Sequence, residues 1–279
     1  KSYEIDMCNG PLFGKIMLFT LPLMLSGILQ LLFNAADVVV VGRFAGNEAL
    51  AAVGSTGALT NLLVNLFIGM SVGANVLVAR YYGGKQEEEV SRTVHTSMLV
   101  SAAGGIILAV LGIVLAKPLL LLMDTPDNVI NHSVLYMRIY FLGMPVMLIF
   151  NFGSAILRAV GDTRRPLFYL IIAGVINVAL NLWFVIGFHM GVAGVALATV
   201  ISQCVSTALI VRSLIKSEGC LRLCPERLCM DWEKFGKIAA IGLPAGLQGS
   251  LFSISNVLIQ SSVNSFGSVA MAGNTAASN

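Results

Sequence analysis

The sequence predicts an all-α integral membrane protein: a six-helix N-lobe followed by the first helix of a parallel-repeat C-lobe. Three observations carry that reading. Of the 279 residues, 57% are hydrophobic and only 11% are charged, against about 25% charge in a soluble domain, and the mean hydropathy is +0.86. Seven apolar runs reach the roughly 20 residues a spanning helix needs. The first run, FGKIMLFTLPLMLSGILQLLFNAADVVVVGRF at 13–44, recurs 222 positions later at 235–266, with 12 of 32 positions identical.

The seven runs lie at 16–41, 56–79, 93–115, 134–157, 167–188, 192–215 and 238–264. None alternates as a barrel strand would, and in lipid only helices or closed barrels satisfy the backbone. The stretch ALAAVG before Thr56 is expected to start the second helix early. Gly83-Gly84 ends that helix, Asp124-Thr125-Pro126-Asp127 makes a turn before the fourth, and Gly161-Asp162-Thr163 makes the next. Pro166 opens the fifth helix, where its missing N–H costs nothing. Gly191 leaves only a short loop between the fifth and sixth.

Three segments follow: a lobe at 1–217, a cytoplasmic linker at 218–234, and the start of a second lobe at 235–279. Six spans separate the two copies, so they share one orientation, related by an axis along the membrane normal. The repeat spacing predicts a whole protein of about 440 residues, of which this chain is a fragment. The first run is too long for the core of a signal peptide.

Lys and Arg fix the expected orientation. With the N-terminus cytoplasmic, fourteen of the seventeen fall inside, Lys1, Arg80, Arg158, Arg212 and Arg227 among them. Arg43, Lys117 and Arg138 fall outside. The run Glu87–Glu89 reads as a solvated loop beside Lys85 and Arg92. Cys220, Cys224 and Cys229 share the linker but lack a four-ligand zinc spacing, so they are expected to be ordinary reduced thiols.

Polar residues inside the spans carry the functional signal. A carboxylate in a membrane helix costs about 2.5–3.5 kcal/mol on insertion scales, and Asp37 has no evident basic partner. It sits six residues before Arg43, about 9 Å along the helix axis. Gln30, Asn34 and Asp37 share one face of the first helix. Asn61 and Asn65 share a face of the second, Asn177 and Asn181 of the fifth, and Thr199, Gln203 and Ser206 of the sixth. These stripes are expected to converge inside the bundle. Taken singly, each amide or hydroxyl is as well explained as glue between helices, for about 1–2 kcal/mol or less. A desolvated carboxylate without a cation can exchange a proton or hold Na⁺ with amide and hydroxyl oxygens, which makes Asp37 a coupling device. Pro22 removes a backbone hydrogen bond from the same helix and is expected to loosen it as a conformational hinge.

Other classes find little support. No phosphate-binding loop is present, so direct ATP drive is not expected. His95, His132 and His189 lie in separate regions, with no HExxH, no GxSxG and no paired intramembrane carboxylates, which disfavours an intramembrane enzyme. Tyr81, Tyr82, Tyr136, Tyr140, Trp183 and Phe188 sit near span ends, as an interfacial aromatic belt would.

LPLMLSGILQLLFNAADVVVVGRFAGNEALAAVG, GMSVGANVLVARYYGG and ILRAVGDTRRP, in that order, resemble the multidrug and toxic compound extrusion (MATE) transporters. The resemblance spans nearly the whole chain. It implies twelve helices in two lobes and efflux of cationic or amphipathic molecules by H⁺ or Na⁺ antiport. It further implies a cation-coupling site at Asp37, Asn177, Asn181 and Thr199, with Gln30, Asn34, Asn61, Asn65 and Gln203 as a polar stripe along the substrate pocket. Asn181 departs from a pattern with a second acid there, placing more weight on Asp37. NorM-like members carry a Glu where Phe252 stands, which favours the DinF or archaeal branch with coupling in the N-lobe.

The expected partners are drug-like cations, membrane lipid and the remaining lobe. No nucleic acid, cofactor or resident metal is expected, only H⁺ or Na⁺ at Asp37, in a plasma-membrane protein. A lipid-linked precursor or metabolite flippase is the alternative. Basic residues to meet a pyrophosphate are nearly missing from the spans, which disfavours the lipid-linked form.

Overall fold

A computed structural model describes residues 12–217, 219–224, 226 and 228–278, and no strand occurs among them. Among the described residues nine α-helices follow one another: α1 Leu12–Phe44, α2 Asn47–Gly83, α3 Glu87–Leu122, α4 Asp127–Leu142, α5 Met144–Ala159, α6 Arg164–Leu182, α7 Gly191–Lys216, α8 Trp232–Asn264 and α9 Ser268–Ser278. Six are long and apolar enough to span a membrane alone, and α4 with α5 makes a broken seventh. This is a multi-pass membrane fold.

The helices overrun the apolar stretches that predict them. α2 has 37 residues, about 55 Å of helix against a hydrocarbon thickness of about 30 Å. At its N-terminal end the extension is the expected early start at ALAAVG, with Ala49, Leu50, Ala51 and Ala52 buried in the bundle. Glu87–Glu89 is likewise the first turn of α3 and not a loop. Two of its acids are paired, Glu88 with Arg92 at 3.1 Å and Glu89 with the buried Lys234 of α8.

The expected continuous helix at 134–157 is a correction. It breaks between Leu142 and Met144 with a 49° bend. Pro145 has no N–H for the Phe141 carbonyl, and its ring crowds that turn. α3 presses on the bend: a Cβ on Gly105 would lie 2.3 Å from Pro145 Cα. Pro22, by contrast, sits in α1 without interrupting it.

Rings seat in glycine notches. Phe141 of α4 lies over Gly112 of α3, Phe67 of α2 over Gly104, and Phe33 of α1 over Gly174 of α6. In lipid such close packing replaces the hydrophobic drive between helices. One cluster, with Val78, Val94, Ile156, Ile210 and Leu214, fills the end of the bundle richest in Lys and Arg. Another, with Val40, Val41, Ala51, Val185 and Val195, fills the opposite end.

The described residues between α7 and α8 make contacts with α3. Leu221 and Leu223 join the basic-end cluster. Cys224 N–H donates to His95 Nε2 at 3.1 Å, and Asp231 N–H donates to Thr96 Oγ1 at 3.3 Å. Asp231 then caps α8, accepting from the N–H groups of Glu233 and Lys234, so the helix begins ahead of residue 235. Lys1 and Arg227, both placed on the cytoplasmic side by the sequence, lie outside the described residues.

α8 and α9 repeat α1 and α2 in form. Both 33-residue helices lead through a positive-φ glycine, Gly46 at φ 90° or Gly267 at φ 88°, into the next helix. α8 runs along α2 with backbones almost touching: a Cβ on Gly69 would lie 2.2 Å from Gly246 N, and one on Gly73 2.3 Å from Ile238 O.

Candidate functional site

α6 brings Asn177 and Asn181 inward one turn apart, 6% and 0% exposed. Asn181 Nδ2 donates to Asp37 Oδ1 on α1. The same amide group lies 3.2 Å from Asn177 Oδ1. Asn177 Nδ2 donates to Thr199 Oγ1 on α7 at 3.3 Å, and Thr199 turns its own proton to Val195 O at 3.0 Å. One polar chain therefore ties α1, α6 and α7 together at the end opposite the basic one.

Just beyond Asn181 the helix widens into a π-turn, Trp183–Gly187. Such turns are rare and often lie at functional positions. Among the described residues no cation lies within ion-pair distance of Asp37, and Arg138 is exposed. Asn181 Oδ1 is buried with no hydrogen-bond partner. A carboxylate, two amide oxygens and a hydroxyl are hard oxygen donors, the kind suited to a proton or an alkali cation and not to a thiophilic metal.

The predicted polar stripes do not all converge. Asn65 turns to α8, its Nδ2 donating to Ser253 Oγ at 2.7 Å and Gly249 O at 3.3 Å. Gln30, Asn34 and Asn61 are exposed, so the α1 stripe divides, with only Asp37 held against α6. Gln203 lies one turn along α7 from Thr199 and accepts from Ser206 Oγ at 3.4 Å. Spacing gives the face of a helix; it does not say which neighbour that face meets.

One aromatic pairing was missed. The rings of Tyr136 and Tyr140 of α4, read from the sequence as part of an interfacial belt, stack 6.0 Å apart, and Tyr136 packs against the cluster that holds Val40 and Val41. Their i, i+4 spacing was the available signal. Tyr81 packs partly against the basic-end core, and its hydroxyl accepts from the exposed Lys237 at 3.3 Å.

A carboxylate held by amides inside an apolar helical bundle is an arrangement that suits a membrane transport protein. The chain belongs to the MATE transporter family: the MatE family model matches residues 22–183. It is 36% identical over 265 residues to the probable multidrug resistance protein YoeA of Bacillus subtilis (strain 168), covering 92% of this chain and 57% of that protein. It is 27% identical over 256 residues to an FAD transporter of Shewanella oneidensis, covering 88% of this chain and 55% of that one. The fold is similar to an inward-facing MATE family multidrug resistance transporter of the MOP superfamily, with a TM-score of 0.82 at 26% identity over 89% of this chain and 57% of that one. The chain spans little more than half the length of the relatives it matches.

Proposed function

We propose that the protein acts in secondary active multidrug efflux, exporting cationic or amphipathic small molecules in exchange for H⁺ or Na⁺, with Asp37 as the coupling carboxylate. The supporting observation is the polar chain Asp37–Asn181–Asn177–Thr199 and the orphaned Asn181 Oδ1 within it. Sodium would be held by Asp37, Asn181, Asn177 and Thr199; a proton would neutralise Asp37 directly. Either event changes the charge that seats α1 against α6. α1 meets the bundle through Phe33, Asp37, Val40 and Val41, while Leu21, Leu31, Leu32 and Val39 are exposed, so a change of charge at Asp37 acts on one of its few contacts. Pro22, fifteen residues earlier, gives it a place to bend. The protein would sit in the plasma membrane with its basic end and N-terminus in the cytoplasm, as the charge bias favours.

The test is efflux of a fluorescent cationic dye from vesicles under an imposed pH or Na⁺ gradient. Asp37→Asn is expected to reduce gradient-driven efflux to background while the protein still reaches the membrane. Efflux surviving in that variant would move coupling elsewhere. A second reading, export of an anionic metabolite, is favoured by the likeness to an FAD transporter. FAD leaving the vesicles while the dye stays would select it.

A further inference from the structure

A second site lies at the basic end, away from Asp37. A cavity of about 730 Å³ lies there, lined by α6 and α7. Four cations line it: Arg164 and Arg165 from the start of α6, Arg212 and Lys216 from the end of α7. Arg165 is fixed across the opening, its Nε 2.9 Å from Asp162 Oδ2 and its Nη1 donating to Ser213 Oγ at 3.2 Å. The charges of Arg164, Arg212 and Lys216 are not balanced in this way: among the described residues, none is within ion-pair distance of a carboxylate. Arg164, Arg212 and Lys216 are exposed at the mouth of the cleft and concentrate positive charge there that suits an anion.

The rest of the lining says which anion. Leu167, Phe168, Ile171 and Leu209 form the deeper wall, and Phe168 is 60% exposed. Ile171 lies seven residues along α6 from Arg164, about 10 Å deeper. A free phosphate would satisfy the mouth and leave that wall bare. A phospholipid would put phosphate among the cations and acyl chains along the wall, and basic pockets between membrane helices commonly hold such headgroups. We propose that the cleft between α6 and α7 binds the headgroup of an anionic phospholipid. The charge bias that sets the topology is then also a lipid contact at this corner of the bundle.

Native mass spectrometry of the purified protein, with phosphatidylglycerol or phosphatidylcholine added, tests this. Phosphatidylglycerol should be retained and phosphatidylcholine lost. Arg164→Gln, Arg212→Gln and Lys216→Gln together should cut the retained fraction at least about tenfold. Equal retention by that variant would overturn the site. Displacement by millimolar inorganic phosphate would show a free-anion site and overturn the lipid assignment. Should the triple variant not fold, hydrogen exchange on the unaltered protein decides. Phosphatidylglycerol, not phosphatidylcholine, should slow exchange at 164–171 and 209–216; no difference would overturn the proposal.

Discussion

Asn181 is the residue whose side chain hydrogen-bonds α6 to Asp37 of α1. Its amide serves Asp37 and Asn177 together, and its side chain is fully buried. Asn181→Leu removes both bonds and leaves Asn177 Oδ1 and Asp37 without that donor. Stranded buried polar groups cost about 1–3 kcal/mol, so unfolding in detergent should occur several degrees lower and ion-dependent efflux should fall with it. Asn65→Ala is the matched control. It also loses two hydrogen bonds, but to Ser253 and Gly249 on α8. It should lower the unfolding temperature while leaving the ion dependence unchanged. If both variants lost ion dependence alike, the polar chain would have no special role. Asp37 was legible because a carboxylate is conspicuous against an apolar background, whereas grouping it with Asn177, Asn181 and Thr199, out of several equally conspicuous polar positions, rested on the resemblance to the MATE transporters. The split of the α1 stripe was not legible, since Gln30, Asn34 and Asp37 share one face by spacing and only the packing of Phe33 into Gly174 decides which part of that face meets α6.

Among the elements, hydropathy found the spans but not the break between α4 and α5. Apolar character runs straight through Gly143-Met144-Pro145, so a window of composition reports one helix where the chain changes direction. Two prolines of the same kind behave differently: α1 continues through Pro22, while the helix ends before Pro145. The difference lies in the neighbours. Gly105 lets α3 approach until a Cβ there would meet Pro145 Cα at 2.3 Å. Backbone cannot rotate aside as a side chain can, so Gly105→Leu should either straighten the break or separate α3 from α5. Overpacking of this kind costs about 1–3 kcal/mol. Thermal unfolding should register it as a clear drop, whereas Gly57→Leu, with open space beside it, should be nearly silent. Equal losses at the two glycines would show that helix propensity, and not contact with Pro145, sets the cost.

For the whole molecule the decisive surface is the seam between α2 and α8, the helix that the internal repeat places at the start of a second lobe. Gly69 and Gly73 face Gly242 and Gly246 in the half of α2 toward the basic end, with backbone atoms as the obstacles. Lys234 reaches Glu89 at that same end, Cys224 is bonded to His95 and Asp231 to Thr96. In a protein with one conformation, Gly73→Leu would only reduce stability. In a transporter that opens at alternate ends, the same strain acts on one state alone. A differential cost of about 1–3 kcal/mol shifts a two-state population about 5- to 150-fold. Gly73→Leu should therefore increase thiol labelling of a cysteine placed at Ala74, which is fully buried here. It should leave dye binding intact and slow gradient-driven efflux by about tenfold or more, because a cycle that favours one end waits at the other. Unchanged labelling with reduced thermal stability would mean that α2 and α8 never part, and that the movement exporting the substrate lies at α1 alone.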